Sequence, residues 1–293
     1  MSSHRIGAHV SAAGGVEKAI ERAVAIGANC VQVFSGSPRV WQRPQLEAFD
    51  PTKIAAISQE KDVQPIFTHS LYLVNLASDN PELVAKSVKA LCFDLAFDAR
   101  IGGAGVIVHL GSHQGRGWEA VKEQVAQQVG EIIAKSPHQA HFLIENAAGQ
   151  KGKIGGDLDE VRWLLDQVAS DQLGWCFDTC HASAAGYGLG QKQGQFPAER
   201  ENAERLTALE EIERLELWSS LRCVHVNDSK DPFGSGRDRH QNLGDGTIPT
   251  ADLQYFLNHD LINDKPLILE VPGMTEAGPD QENVNRLKKL VAA

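Results

Sequence analysis

Two rhythms of apolar positions alternate along the chain. Short runs that are apolar at nearly every position recur at residues 5–10, 30–34, 64–69, 105–111, 141–147, 173–178, 221–228 and 266–273. Longer amphipathic stretches lie between them, at 15–27, 80–101, 118–136, 157–170, 199–220, 250–260 and 280–292. Pro81, Gly102, Gly103, Pro137 and Pro249 stand near the ends of those stretches, where helix boundaries favour them. An unbroken apolar run marks a strand covered on both faces, and strands alternating with helices predict a parallel sheet. Eight such units predict an α/β fold of the (β/α)8 TIM-barrel class, with an open doubly wound sheet as the alternative. No linker or low-complexity segment divides residues 1–293, so a single domain is expected.

The strands break their own apolar rule in one place. Phe67-Thr68-His69, Ile107-Val108-His109, Leu143-Ile144-Glu145, Cys176-Phe177-Asp178, Cys223-Val224-His225 and Ile268-Leu269-Glu270 each bring a titratable residue to the C-terminal part of a run. Side chains two apart on a strand share a face, so each shares its side with an apolar neighbour. In a barrel those strand ends form the mouth that carries the active site. A lone strand-end His is ordinarily a hydrogen-bonded residue, and a lone carboxylate ordinarily pairs with Lys or Arg. Six at one rim are a different matter, because burying so many titratable groups unpaired costs several kcal/mol each. Imidazole plus carboxylate without cysteine suits zinc, manganese or iron.

Two local motifs add ligands. Asp178-Thr179-Cys180-His181 places a carboxylate and an imidazole three residues apart. Asp238-Arg239-His240 follows the Gly-rich stretch Phe233-Gly234-Ser235-Gly236, and its i, i+2 spacing puts Asp and His on one side of an extended loop. Nine candidates result: His69, His109, Glu145, Asp178, His181, His225, Asp238, His240 and Glu270. That is too many for one tetrahedral zinc and suits two or three ions sharing a carboxylate. His9 also ends a strand and is a candidate to line the site. His4, His113, His138, His141 and His259 lack such context and are expected at the surface or behind the ligands.

Composition changes this picture little. The chain is 42% hydrophobic and 23% charged, with no apolar stretch of 18 residues and no signal-peptide pattern at its start, so a cytoplasmic protein without membrane contact is expected. The net charge of −10 argues against a nucleic-acid partner, but three divalent cations would add six positive charges and leave −4, gathered at one place. Cys30, Cys92, Cys176, Cys180 and Cys223 have no CxxC spacing and sit mostly in apolar runs, as small buried side chains do.

Ile6-Gly7-Ala8-His9-Val10-Ser11-Ala12-Ala13-Gly14-Gly15 resembles the opening of the endonuclease IV family (AP endonuclease family 2). So do Asp178-Thr179-Cys180-His181 with Ala184-Ala185-Gly186-Tyr187, and the stretch His225-Val226-Asn227-Asp228-Ser229-Lys230 with Gly234-Ser235, Asp238-Arg239-His240 and Leu243-Gly244-Asp245-Gly246. The resemblance covers essentially the whole chain. It implies a barrel with three zinc ions, manganese being admissible at one or more sites. His69, His109 and Glu145 look like ligands of the first ion. Glu145, Asp178, His225 and Glu270 resemble those of the second, with Glu145 bridging and catalytic, and His181, Asp238 and His240 those of the third. It further implies hydrolysis of the phosphodiester 5′ to an abasic site in double-stranded DNA, leaving a 3′-hydroxyl and a 5′-deoxyribose phosphate, in base-excision repair. Close-set cations suit water activation and stabilisation of a leaving oxygen, so no side-chain base is required. Arg39 and Tyr72 match side chains pushed into the DNA stack; Lys230, Arg237 and Arg239 are candidate phosphate contacts. A monomer with no obligatory protein partner is expected.

Two departures stand out. Gly188 occupies a place where the family usually has Asp, and Ser35-Gly36-Ser37-Pro38 is poor in long polar side chains, so DNA contacts there are expected to differ. Two other readings compete. A metal-dependent sugar isomerase or epimerase of the xylose isomerase-like barrels would not need His181 or the Asp238–His240 arm. A non-catalytic lesion-binding barrel would not need complete ligand sets.

Overall fold

The computed structural model describes residues 4–150, 152–190 and 206–291. Among them, eight parallel strands close on themselves: β1 (Ile6–His9), β2 (Cys30–Phe34), β3 (Ile66–His69), β4 (Val106–Val108), β5 (Phe142–Glu145), β6 (Leu173–Asp178), β7 (Leu221–His225) and, after a separate antiparallel ribbon of β8 (Asp228–Ser229) and β9 (His240–Gln241), β10 (Leu267–Leu269). β10 pairs with both β7 and β1, which seals the barrel. The closed barrel expected from the apolar runs is therefore the architecture, and the open sheet is excluded.

Helices surround it: α1 (Val16–Ala25), α2 (Pro51–Lys61), α3 (Pro81–Arg100), α4 (Lys122–Ala134), α5 (Leu158–Val168), α6 (Thr179–Ala185), α7 (Ala208–Arg214), α8 (Thr250–Leu257) and α9 (Gln281–Val291). Their starts follow side-chain chemistry. The Asp50 carboxylate accepts from the Thr52 and Lys53 amides ahead of α2, and the Asn80 side chain accepts from Glu82 and Leu83 ahead of α3, each with proline at the first helical position. In α1 the buried set Val16, Ala19, Ile20 and Ala23 is the i, i+3, i+4, i+7 stripe that faces a barrel.

Four elements differ from expectation. α2 was not anticipated because only Ile54 and Ser58 of its residues are buried, which leaves no apolar stripe. α6 is a short turn of small residues directly after β6. Of the helix expected over 199–220, residues 199–205 lie outside the described residues; among the rest, α7 begins behind a capping box of Thr207 and Glu210. It gives way at Glu216, whose φ of 52° is left-handed, before a 3-10 turn at Trp218–Ser220. The run expected to be a strand through 228 ends at His225, since Asp228 turns away to pair with β9.

Inside the barrel, Cys30, Phe67, Ile107, Leu143, Cys176, Cys223 and Ile268 form one closed apolar layer. β1 contributes Gly7, where an added Cβ would collide with Cys30 Sγ. Four of the five cysteines are buried and all five are free thiols, as their apolar context implied. Two residues further along each strand, the polar mouth begins.

Two buried acids on α3 tie that helix to the mouth. The Ser35 hydroxyl donates to Asp94 (2.5 Å) and the Thr68 hydroxyl, next to His69, to Asp98 (2.7 Å). Burial pushes Asp94 up to about 6 and Asp98 up to about 7. A carboxyl whose folded pKa is raised holds a proton that the unfolded chain has already lost, so its contribution to stability falls as pH rises through the folded value. Asp98→Asn keeps an acceptor for Thr68 and removes that titration. Its melting temperature relative to the unsubstituted protein should rise between pH 5 and pH 8, the window around the Asp98 value. A pH-independent difference in circular-dichroism melts would refute this.

Candidate metal centre

Each of the eight strands delivers one polar side chain to the mouth: His9, Gln32, His69, His109 (just past β4), Glu145, Asp178, His225 and Glu270 (just past β10). Seven of them stand two residues beyond a member of the apolar layer, and His9 stands two beyond Gly7. The i, i+2 rule thus brings the six strand-end candidates together.

Glu145 sits at the centre and is fully buried. Its Oε2 lies 3.4 Å from His69 Nε2 and 3.2 Å from His109 Nε2, while Oε1 lies 3.0 Å from His225 Nδ1 and 3.3 Å from His181 Nδ1. Glu270 Oε2 lies 3.2 Å from the same His225 nitrogen. Asp178 caps α6 by accepting the His181 amide (2.7 Å), and its other oxygen accepts from the Asn227 carboxamide (2.7 Å). α6 thereby carries His181 to the mouth, where its Nε2 is 3.1 Å from Asp238 Oδ1. β9 brings His240 from the opposite side, with Nε2 3.7 Å from Asp178 Oδ2 and 3.5 Å from Asp238 Oδ1.

Three of the rings are anchored by backbone. A carbonyl only accepts, so the Nδ1–H of His69 donates to Ser70 O (2.7 Å), that of His181 to Asn146 O (3.0 Å) and that of His240 to Glu270 O (3.3 Å). Each leaves its Nε2 turned toward the carboxylates. At the mouth, residues grouped with ligand atoms close enough to share an ion are His69–His109–Glu145, Glu145–Asp178–His225–Glu270 and Asp178–His181–His240. The grouping differs from the one expected in a single respect: Asp178 faces His181 and His240 as well as His225, and Asp238 joins that group from a more exposed position.

The protein alone does not satisfy this cluster. Glu145 Oε2, His181 Nε2, His240 Nε2 and His9 Nε2 are buried without a hydrogen-bond partner. Buried polar atoms are ordinarily paired, and four orphans converging on one cavity fit a cation-binding cage of oxygen and imidazole donors. Electrostatics agrees. Burial opposes charge on Glu145 and Glu270, yet the neighbouring histidines outweigh it and hold both carboxyls well below their usual range. Against the pull of burial, Asp178 and Asp238 raise His181, and Glu270 and Glu145 raise His225, well above the ordinary imidazole value. His109 is pushed down to about 4 by burial and offers a neutral lone pair at neutral pH.

A family model described as a xylose isomerase-like TIM barrel matches residues 20–290. The probable endonuclease 4 of Halothermothrix orenii is 34% identical over 286 residues, covering 97% of this chain and 99% of that protein. The probable endonuclease 4 of Halobacterium salinarum is 36% identical over 288 residues, covering 98% and 100%. The crystal structure of endonuclease IV from Thermus thermophilus matches with a TM-score of 0.80 at 32% identity over 98% of both chains. The chain belongs to the endonuclease IV family. The structure of an L-ribulose 3-epimerase, at 15% identity and a TM-score of 0.66 over 99% of this chain and 86% of that one, shares the fold alone.

Beside this cluster lies a cavity of about 820 Å³, lined in part by Glu270 and His109. Arg39 and Tyr72 are on its wall, together with His9, Phe34, Glu276 and Pro279. Tyr72 is 60% exposed and packs edge-on against Phe34 and His69, and its amide donates to Pro38 O (3.1 Å), which joins the loops after β2 and β3. The Ser35–Pro38 segment is tethered through Asp94 and through Arg43, whose guanidinium donates to Ser37 O (3.2 Å). Lys230 follows β8 and Arg239 precedes β9, and neither is among the residues lining that cavity. Lys230 is exposed; the Arg239 guanidinium is engaged by Asp231 through Nε at 2.5 Å and a second, closer contact, and Arg237 is 3.5 Å from the same carboxylate. A pairing eight residues apart in a loop carried no sequence signal. Gly188 O accepts from the Ala208 amide (2.8 Å), so this position anchors α7.

Of the five histidines set apart from the ligands, His259 stacks on Trp218, His113 accepts from the Gly117 amide, and His138 is exposed. His141 is partly buried, and His4 is buried at the opposite end of β1. Sequence reading missed Gln32, Asn146 and Asn227, neutral amides that hold the ligands. The signal for Gln32 was there: it is the one polar residue in Cys30-Val31-Gln32-Val33-Phe34.

The ribbon that carries Asp238 and His240 depends on Asp228. Its buried carboxylate accepts from the backbone amides of Ser229 (2.8 Å), Gly244 (3.0 Å), Gly246 (3.1 Å) and Ile248 (3.0 Å), and a Cβ at Gly246 would strike it. Removing a charged acceptor from several buried donors costs about 3 kcal/mol. Asp228→Ala should therefore lower the melting temperature by roughly 5 °C or more. It should also weaken cation retention at His181 and His240. A variant that melts like the unsubstituted protein would remove Asp228 from this role.

Proposed function

We propose that this protein is a zinc-dependent AP endonuclease that hydrolyses the phosphodiester 5′ to an abasic site in double-stranded DNA, leaving a 3′-hydroxyl and a 5′-deoxyribose phosphate, as a step of base-excision repair. The observation that carries the reading is the set of three ligand groups, linked through Glu145 and Asp178 and containing orphaned buried donor atoms, at the floor of one open cavity. Membership of the endonuclease IV family supports it. His69, His109 and Glu145 would hold one ion, Glu145, Asp178, His225 and Glu270 a second, and His181, Asp238 and His240 a third. Zinc suits these donors, and manganese is compatible with the carboxylate-rich groups. Such ions supply, when bound, acidity to water and a positive field for a phosphodiester.

The chain's own residues then divide the work. Glu145 offers one carboxylate oxygen to each of two groups and so sets the spacing between them. His109 stays neutral through burial. His9 presents Nε2 to the cavity, where it would donate to a phosphate oxygen. Arg39 and Tyr72 on the cavity wall would enter the duplex stack beside the lesion, which lacks a base and so costs less to extrude. Lys230, exposed on the ribbon, would lie along the phosphate backbone. The paired state of Arg239 and Arg237 gives them the lesser part in that contact. A sugar epimerase has no use for the His181–Asp238–His240 group, and a passive lesion binder has none for a shared Glu145.

Elemental analysis of the purified protein should find about three zinc ions per chain, and the protein should nick a duplex carrying one abasic analogue on its 5′ side. Glu145→Ala should lower zinc content and reduce nicking by about a thousandfold or more; nicking by that variant at the unsubstituted rate would overturn the assignment. Tyr72→Ala should raise KM for the abasic duplex by roughly tenfold, an effect of ~1.4 kcal/mol, with a smaller change in kcat. An unaltered KM would take Tyr72 out of the DNA interface.

A further inference from the structure

Among the four imidazoles His69, His181, His225 and His240, His225 is the one that no backbone carbonyl anchors. It is fully buried in the barrel, with Nδ1 turned toward Glu145 and Glu270 and Nε2 turned the other way, 2.7 Å from Gln32 Oε1. Gln32 is itself fully buried on β2. Its Nε2 lies 2.6 Å from Glu270 Oε1 and 2.8 Å from His9 Nδ1.

The orientation of that carboxamide follows from chemistry. An ionised carboxylate only accepts, so the atom of Gln32 facing Glu270 has to be the amide nitrogen. The flipped arrangement would set the amide oxygen against the carboxylate at a hydrogen-bond distance, a repulsive contact. With the nitrogen committed to Glu270 and His9, the oxygen is left for His225. An amide oxygen only accepts, so the proton of neutral His225 sits on Nε2 and the lone pair sits on Nδ1.

We propose that Gln32 is a positioning residue of the metal centre: its carboxamide, oriented by Glu270, fixes the Nε2–H tautomer of His225 and so presents Nδ1 to a divalent cation in the Glu145–Asp178–His225–Glu270 group. This rests on the reading that the group holds a cation. The same amide contacts two ligands of that one group and none of the His181–Asp238–His240 group, so its effect is selective. Outer partners of this kind orient a ligand and set its basicity, and their loss weakens metal affinity by roughly 10–100-fold.

The test uses zinc-loaded full-length protein, Gln32→Leu as a variant of similar bulk without hydrogen bonds, and zinc content measured against increasing chelator. The unsubstituted protein should retain its ions. Gln32→Leu should lose one ion at a chelator concentration roughly 10–100-fold lower and keep the others at the unsubstituted threshold. A general loosening would move all thresholds together and overturn the proposal. Long-range proton–nitrogen NMR of the unsubstituted, zinc-loaded protein gives an answer even if the variant fails to fold. His225 should show a protonated Nε2 and a metal-bound Nδ1; the opposite assignment overturns the proposal. If the unsubstituted protein holds no zinc, the proposed function falls and this inference with it. Retained zinc with an indifferent Gln32→Leu defeats the role of Gln32 alone.

Discussion

The side chain of Glu145, sealed from water with four imidazole nitrogens within 3.4 Å, is the constraint around which the rest of the mouth is arranged. An ion buried without partners costs several kcal/mol even after relaxation, so this carboxylate is tolerable only where positive charge arrives from several directions. β3, α6 and β7 each supply one of those directions, and the segment after β4 adds the neutral imidazole of His109. That requirement in turn demands a register in which residue 145 and its counterparts point inward. A slip of one residue on any strand would exchange a polar side chain of the mouth for an apolar neighbour and bury the polar one among helices. The layer of Cys30, Phe67, Ile107, Leu143, Cys176, Cys223 and Ile268 beneath opposes such a slip, because it too exists only in this register.

This coupling explains why so much was legible before any coordinates. Strands buried on both faces are apolar throughout, and an inward polar residue at their ends stands out against that background. His69, His109, Glu145, Asp178, His225 and Glu270 were all visible by that contrast. Elements lacking it were not. α2 buries only Ile54 and Ser58, so it has no stripe to recognise although Asp50-Pro51 announces its start. α6 is built from small residues buried on nearly every side, which leaves no amphipathic period. The helix expected to reach residue 220 is stopped by a left-handed Glu216, a backbone conformation that the surrounding sequence does not signal.

Within the site the misses have a common cause. Gln32, Asn146 and Asn227 are neutral, so no charge called for an explanation, yet they are what the charged residues lean on. Asn227 receives the Glu270 amide (2.8 Å) and donates to Asp178 (2.7 Å), which locks the ends of β10 and β6 together. Arg239 shows the reverse case. Its charge made it a candidate for a phosphate contact, and its pairing with Asp231 gave no signal in the sequence. The net charge of −10 misleads similarly when taken as a property of the whole surface. Glu145, Asp178, Asp94, Asp98 and Asp228 are all buried, so a good part of the acidity faces imidazoles, hydroxyls and backbone amides, away from solvent.

Where each histidine finds its anchor follows from its place in the fold. His69 is the last residue of β3, His181 stands on α6 and His240 on the ribbon. Each reaches a backbone carbonyl: Ser70, Asn146 or Glu270. His225, the last residue of β7, lies between β6 and β10, where a nearby carbonyl serves the ladder: the Val226 amide already takes Ile268 O. An imidazole there has to borrow an acceptor from a side chain, and that acceptor has to be neutral and oriented. A carboxylate at position 32 would face Glu270 at close range, and a shorter or apolar residue would leave Nε2–H unpaired in a dry interior. Glutamine on β2 meets both conditions because Glu270 turns it the right way round. The cage and the scaffold that orients it are in this sense one hydrogen-bonded unit, continuous from β10 through β2 to β7.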